Sequence, residues 1–170
     1  MILGMSVYTF TWVHVILSLV GIFSGIVVVS GMLRAARFKG WTMLFLVATI
    51  LTSATGFFFP SAAFGPPHAI GIISLAVLAA ATLAAYAFQL AKFWRWIYVV
   101  GAVAALYFNV FVGVVQAFQK LPFLSPLAPT QTEPPFLAAQ LLVLASFIML
   151  GFLSVKRFHP GIRAPAFNST

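Results

Sequence analysis

Residues 95–119 read RWIYVVGAVAALYFNVFVGVVQAFQ. No charged residue lies between Arg95 and Lys120, and about 20 helical residues suffice to cross a bilayer. Within this stretch Tyr98, Ala102, Ala105, Asn109, Gly113, Gln116 and Lys120 follow at steps of 4, 3, 4, 4, 3 and 4. That is the spacing of one helix face. Large aliphatic residues fall off it. Lipid tails are as apolar as Leu, so membrane helices associate through small residues and interhelical hydrogen bonds. The stretch predicts a membrane helix whose small and polar stripe is its buried seam.

Working outward, four further apolar stretches reach spanning length, at 7–33, 41–59, 68–91 and 136–155. With the fourth span at 95–119, the expected fold class is all-α: a polytopic five-transmembrane-helix bundle, one integral membrane domain over residues 1–170. Composition points the same way. Of the 170 residues, 63% are hydrophobic and 6% charged, against roughly 25% charged in soluble domains. Mean hydropathy is +1.13. A soluble globular domain, a disordered chain and a secreted disulfide scaffold are thereby excluded. Prolines punctuate the spans: Pro60 after the second, Pro66–Pro67 opening the third, Pro160 after the fifth. Thr132 is the expected N-cap of the fifth helix, with Glu133 in its first turn. Met1–Phe10 lacks a positive region, so the first span is expected to stay in the protein. No internal repeat is evident.

Nine Lys and Arg stand against one acid, Glu133, for a net charge of +8. Arg34, Arg37 and Lys39, then Lys92 and Arg95, then Lys156, Arg157 and Arg163 fall between or after the apolar runs. Five alternating spans put these three clusters on one side, and only Lys120 on the other. The positive-inside rule then places the N-terminus outside and the C-terminus in the cytoplasm. Trp41, Trp94, Trp96 and Tyr98 are expected at the inner boundary, Tyr8 and Trp12 near the outer one. The basic residues read as topology signals and not as a nucleic-acid surface, because no aromatic–basic face accompanies them. Cys and Asp are absent, which removes thiolate chemistry, iron–sulfur clusters and paired carboxylates within one chain. The 121–135 loop, LPFLSPLAPTQTEPP, carries five prolines and cannot be helical throughout. It is expected to fold over the outer end of the bundle as a cap.

The first span has its own stripe, His14, Ser18, Gly21 and Gly25, which contains a GxxxG match. The second has Thr49, Ser53, Gly56 and Pro60, with Thr52 beside them. At a 1.5 Å rise per residue, His14, Thr52 and Ser53 lie about 10 Å below the outer boundary. Asn109 sits near mid-membrane, Gln116 and Gln140 within about 6 Å of the outer edge, and His68 at it. Polar groups therefore converge in the outer half. The candidate cofactor-binding residues are His14, His68, Asn109, Gln116 and Gln140. His14 comes first, because an ionisable group inside a span is a functional candidate by default. The competing reading makes it helix glue, bonded to Thr52, Ser53 or Asn109. His68 and His159 have interfacial readings of the same plain kind.

Three functional readings follow. One is an accessory or assembly subunit packed against a larger membrane complex, or a homo-oligomer. The second is a small-ligand-binding membrane protein. The third is a small redox protein holding b-type haem or quinone through His14 and/or His68, with Trp12 and Phe57–Phe59 flanking the ring. A monomeric pore is disfavoured, because the inner half offers only scattered Ser, Thr and Gln89. A stand-alone enzyme is not the favoured reading. The lipid bilayer is the one partner the composition requires. Finally, Ala105-Leu-Tyr-Phe-Asn109 and Leu127-Ala-Pro-Thr-Gln-Thr-Glu-Pro-Pro-Phe136 resemble a group of small uncharacterised bacterial inner-membrane proteins. The resemblance covers the fourth span, the loop and the start of the fifth span. It implies a bacterial inner-membrane location and no activity.

Overall fold

The computed structural model describes residues 1–59 and 65–160, Pro66 by its backbone alone. Five helices account for most of them: α1 (Val7–Leu33), α2 (Lys39–Gly56), α3 (Pro66–Thr82), α4 (Trp94–Lys120) and α5 (Pro134–Arg157). A π-helical turn, Leu83–Ala87, prolongs α3, and a short 3₁₀ turn, Ser125–Leu127, interrupts the loop before α5. Among the described residues there is no strand beyond one bridge, Ile2 to Met5. The chain is an all-α membrane protein. α1, Pro67–Ala87, α4 and α5 are each long and apolar enough to cross a membrane. α2 falls outside that set, because Lys39 opens it and Thr42, Thr49, Thr52, Ser53 and Thr55 lower its hydropathy. Its 18 residues still extend about 27 Å, close to the thickness of a hydrocarbon core.

Local chemistry sets the ends. Ser6 caps α1 by accepting from the Thr9 amide at 3.0 Å. Ala35, at φ 54°, stops α1 in the left-handed region. There Ala35 N bonds Met32 O at 3.1 Å and Ala36 N bonds Gly31 O at 2.9 Å, the closure of a Schellman motif. The start of α5 differs from expectation. Glu133, not Thr132, is the N-cap, and Pro134 opens the helix. A residue before proline is held in extended backbone, and Glu133 has φ −75° and ψ 155°. Its carboxylate turns back to the loop, accepting from Thr130 N at 3.1 Å, Thr130 Oγ1 at 2.8 Å and Thr132 N at 3.0 Å.

α1 to α4 form a square in chain order: α1 against α2, α2 against α3, α3 against α4, α4 against α1. α5 lies outside, along α4 and α1. Its outward face is apolar, with Leu137, Leu141, Leu142, Ile148, Met149 and Phe152 exposed as lipid contact requires. Apart from Lys120, the described Lys and Arg residues mark one end of the square, here the basic end. The opposite, far end carries His14, His68 and Gln116.

The core occupies the basic half. Val28, Met32, Phe45, Leu78, Ala81, Tyr98, Ala102, Ala105, Leu106 and Phe158 are buried there together. Gly25 makes this possible. A Cβ on it would meet Leu106 Cδ1 at 2.6 Å and the Phe45 ring at 2.8 Å, so three helices meet on a bare backbone. Gly101 plays the same part between α4 and α3, where its Cβ would meet Ala81 Cβ at 3.0 Å. Tyr98 belongs to this core and not to the boundary belt, with its Oη and Thr42 Oγ1 sharing a 3.0 Å hydrogen bond. A second cluster, Phe118, Ala128 and Phe136, pins the proline-rich loop onto α4 and α5. The loop therefore caps one edge of the far end. Phe123 and Leu127 remain exposed.

Candidate functional site

The seam predicted on α4 is two surfaces in succession. From Tyr98 to Leu106 it is buried core. From Asn109 to Lys120 it becomes the wall of a cavity of about 840 Å³ between α1, α2, α3 and α4. Gly113 shows the change. A Cβ there would meet only Ile22 Cδ1, at 3.8 Å. The cause is what stands opposite. In the basic half the small residues of α4 face Phe45, Met32 and Leu78, which fill the space. In the far half Gly113 and Ala117 face Ser18, Ser53, Gly56, Gly71 and Ser74. Small against small leaves a void unless the backbones close up.

Polar groups punctuate its walls. Asn109 Nδ2 donates to Thr49 Oγ1 at 3.2 Å, tying α4 to α2 at the floor. Gly21 of α1 admits that pair, since its Cβ would lie 3.0 Å from both atoms. Ser53 and Ser74 share a 3.0 Å hydrogen bond between α2 and α3. Thr52 is buried, and its Oγ1 has no hydrogen-bond partner. Phe57 and Phe59 supply aromatic surface. Gln116 and Lys120 line the α4 side towards the far end.

His14 enters from α1. Its Nδ1 lies 2.8 Å from Thr55 Oγ1. Thr55 has one hydroxyl proton, and that proton goes to its own helix, to Leu51 O at 2.7 Å. Thr55 Oγ1 is then the acceptor and His14 Nδ1–H the donor, which leaves the lone pair of the neutral ring on Nε2. The Phe59 ring meets the imidazole edge-on, centroids 5.1 Å apart. The expected partners of His14 were Thr52, Ser53 or Asn109; Thr55 takes their place. The signal for it was a Thr three residues beyond Thr52, since a helical hydroxyl bonded back to its own turn keeps its oxygen free to accept. His68, on α3, has the opposite arrangement. Its Nδ1 accepts from Gly65 N at 3.2 Å, so its neutral ring carries the proton on Nε2.

No family model, curated protein or solved structure matches the chain.

Of the five candidate residues, the cavity brings together His14, His68, Asn109 and Gln116. Gln140 stands apart. Its Nε2 donates to Phe111 O at 3.2 Å across the α4–α5 contact, and its Oε1 is buried without a partner. Trp12 is exposed, paired edge-on with Tyr8. Ser61, Ala62, Ala63 and Phe64, with Pro60 before them, lie outside the described residues. Lys120 joins the site, although in sequence it read only as the lone cation of its side. Among the described residues no cluster of three His or acidic side chains offers a metal site.

Proposed function

We propose that the protein is a ligand-binding, multi-pass protein of the bacterial inner membrane, with the basic end cytoplasmic. Its cavity holds the polar head of a lipid-soluble molecule, and a quinone or its quinol is the class that fits best. The supporting observation is the cavity itself, about 840 Å³ of space in the far half of an otherwise packed bundle. Ligand pockets run from about 300 to 1,000 Å³, apolar with a few placed polar groups. A quinol hydroxyl suits the Nε2 lone pair of His14. A quinone carbonyl suits the amide of Gln116 or the ammonium of Lys120. Phe57 and Phe59 suit the ring faces. The apolar outward face of α5 has the character of a lipid contact, so ligand binding is preferred here to a role as an accessory subunit.

Haem is the second reading, and one observation favours it. Metal-ligating histidines donate their other ring N–H to an acceptor, as His14 does to Thr55. The tautomer of His68 argues against a second ligand from that ring, so the haem version rests on His14 alone.

One preparation separates the readings. The detergent-purified protein, His14→Gln and Gly113→Leu are compared by organic extraction with mass spectrometry and by visible absorption. Quinone is expected with the wild type and strongly reduced in both variants, because Gly113→Leu fills the space. A Soret band lost in His14→Gln would replace quinone by haem. A colourless wild type that retains no quinone, and whose melting temperature does not move on adding quinone, would end both.

A further inference from the structure

The three basic clusters read as signals of membrane orientation, yet two of their described members differ from the other described ones. Arg34, Lys39, Lys92, Lys156 and Arg157 are exposed, whereas Arg37 and Arg95 are half-buried. Both line one pocket of about 250 Å³ at the basic end, with Gln89, Leu90, His159 and Pro160. Four separate segments meet there: the turn after α1, the turn after the π-helical segment, the first turn of α4 and the residues after α5. We propose that this pocket is a site for a phosphate group, held by the Arg37 and Arg95 guanidiniums together with the Gln89 amide and the His159 ring.

The argument begins with charge. Two half-buried guanidiniums around one small space repel each other. The chain's one acidic side chain, Glu133, is at the far end, a full helix away. Arg95 stands in the first turn of α4, where the helix dipole disfavours a cation. An anion in the pocket offsets both penalties. The geometry is also fixed in advance. Arg37 Nη2 donates to Ala85 O at 2.8 Å. Arg95 Nη1 donates to Val155 O at 3.1 Å and Phe158 O at 2.6 Å. Each guanidinium has five N–H donors, so these backbone contacts aim the forks without consuming them. Arg37 Nε is buried and has no hydrogen-bond partner. A planar fork with spare donors matches phosphate oxygens.

The backbone around the pocket is unusual as well. Gln89, Leu90 and Lys92 have φ of 46°, 62° and 46°, a left-handed conformation rarely adopted by residues other than glycine. The π turn Leu83–Ala87, which supplies Ala85 O, adjoins them. Strain and π turns both concentrate at functional sites. Trp94 precedes Arg95 in α4 and stacks on Phe88 with ring centroids 3.7 Å apart, and Trp96 and Trp41 are exposed at the same end. Trp belongs at headgroup level, and basic pockets between membrane helices take lipid phosphates. The phosphate therefore comes either from an anionic phospholipid or from solution.

The test uses the full chain in uncharged detergent, with the fluorescence of Trp94 and the other Trp residues as readout. The probes are phosphatidylglycerol, phosphatidylcholine and inorganic phosphate, each titrated separately. At about 0.5 M salt the Debye length is near 4 Å, so general attraction to exposed cations is screened. Phosphatidylglycerol is expected to bind more tightly than phosphatidylcholine under that condition. Arg37→Gln should weaken it about tenfold or more, the loss of one charge-assisted contact. Arg34→Gln, outside the pocket, should not. Saturation by inorganic phosphate at similar concentration assigns the site to a soluble phosphate instead of a lipid. Gln89→Ala and His159→Ala test the site without Arg37, since neither side chain makes a hydrogen bond within the described protein; each should weaken binding several-fold. Equal binding of phosphatidylglycerol and phosphatidylcholine with no response to phosphate would overturn the proposal. So would pocket variants that bind as Arg34→Gln does.

Discussion

Gly25 and Gly113 invite the same substitution with opposite outcomes. In Gly25→Ala the new methyl would stand 2.6 Å from Leu106 Cδ1, 2.8 Å from Phe45 Cε2 and 2.9 Å from Phe45 Cδ2. Leu106 can rotate, but the Phe45 ring is 1% exposed and enclosed on every side. Overpacking of this kind costs about 1–3 kcal/mol. In Gly113→Ala the methyl enters the cavity, 3.8 Å from Ile22 Cδ1. Both variants gain the same helix propensity, about 1 kcal/mol, so their difference isolates the packing cost. For a chain of this size, about 1–3 kcal/mol corresponds to melting temperatures roughly 2–12 °C apart, Gly25→Ala being the lower. The assay is thermal unfolding of the two proteins side by side in one detergent, followed by intrinsic fluorescence. Equal melting temperatures, or a lower one for Gly113→Ala, would refute the division of α4 into seam and cavity wall.

Further expectations concern other parts of the fold. Thr55→Val keeps the shape of the side chain but removes the acceptor of His14; melting should fall only slightly, since interhelical hydrogen bonds average about 0.6 kcal/mol, while co-purified ligand should drop, and unchanged ligand content would detach Thr55 from the site. Partial desolvation raises the Glu133 pKa, but hydrogen bonds from Thr130 and Thr132 outweigh it and hold the carboxyl below its usual 4.5. A depressed carboxylate contributes stability that is present above its unfolded pKa and lost as pH falls through the folded one. Amide protection at Thr130 and Thr132 should therefore decline in acid below that value in the wild type and show no such step in Glu133→Gln. Reporter fusions after Lys39 and Arg95 should read cytoplasmic and fusions within 124–131 external; a single reversal would contradict the proposed orientation.

The helices were legible in the sequence because hydropathy and proline placement act locally. α1 runs over Val7–Leu33, as read, and α2, α4 and α5 differ from their predicted spans by one to three residues at each end; α3 stops at Thr82 and its π turn at Ala87, short of the predicted end at residue 91. The cavity was not legible, because a small residue on one helix permits either close approach or a gap. Gly25 and Gly113 look alike in sequence, and only the residues on neighbouring helices separate them. Phe45 and Leu106 fill the space around the first, while Ser18 and Ser53 leave it open around the second. His14 was found because an ionisable ring among apolar residues stands out without a structure. Gln140 shares its polarity but turns to the α4–α5 contact, a rotation about the helix axis that spacing from one sequence did not fix. Arg37 and Arg95 were read as topology signals, since charge counting does not distinguish a solvated cation from one bonded to backbone carbonyls.

The position of α5 outside the square bears on the order in which the protein is made. Every contact that closes the square, Gly25 on Phe45 and Leu106, Gly101 on Ala81, Asn109 on Thr49, joins residues that precede the proline-rich loop. The first four helices can thus make their contacts with one another before α5 leaves the ribosome, and Phe158, which joins the core beside Tyr98, is added last. α5 then docks along α4 and α1, fastened at one end by Phe136 against Phe118 and at the other by Arg95 holding the carbonyls of Val155 and Phe158. A chain ending at Lys120 would carry most of the cavity walls but lack the residues after α5 that line the basic-end pocket, so the cavity and the pocket are completed at different moments of synthesis.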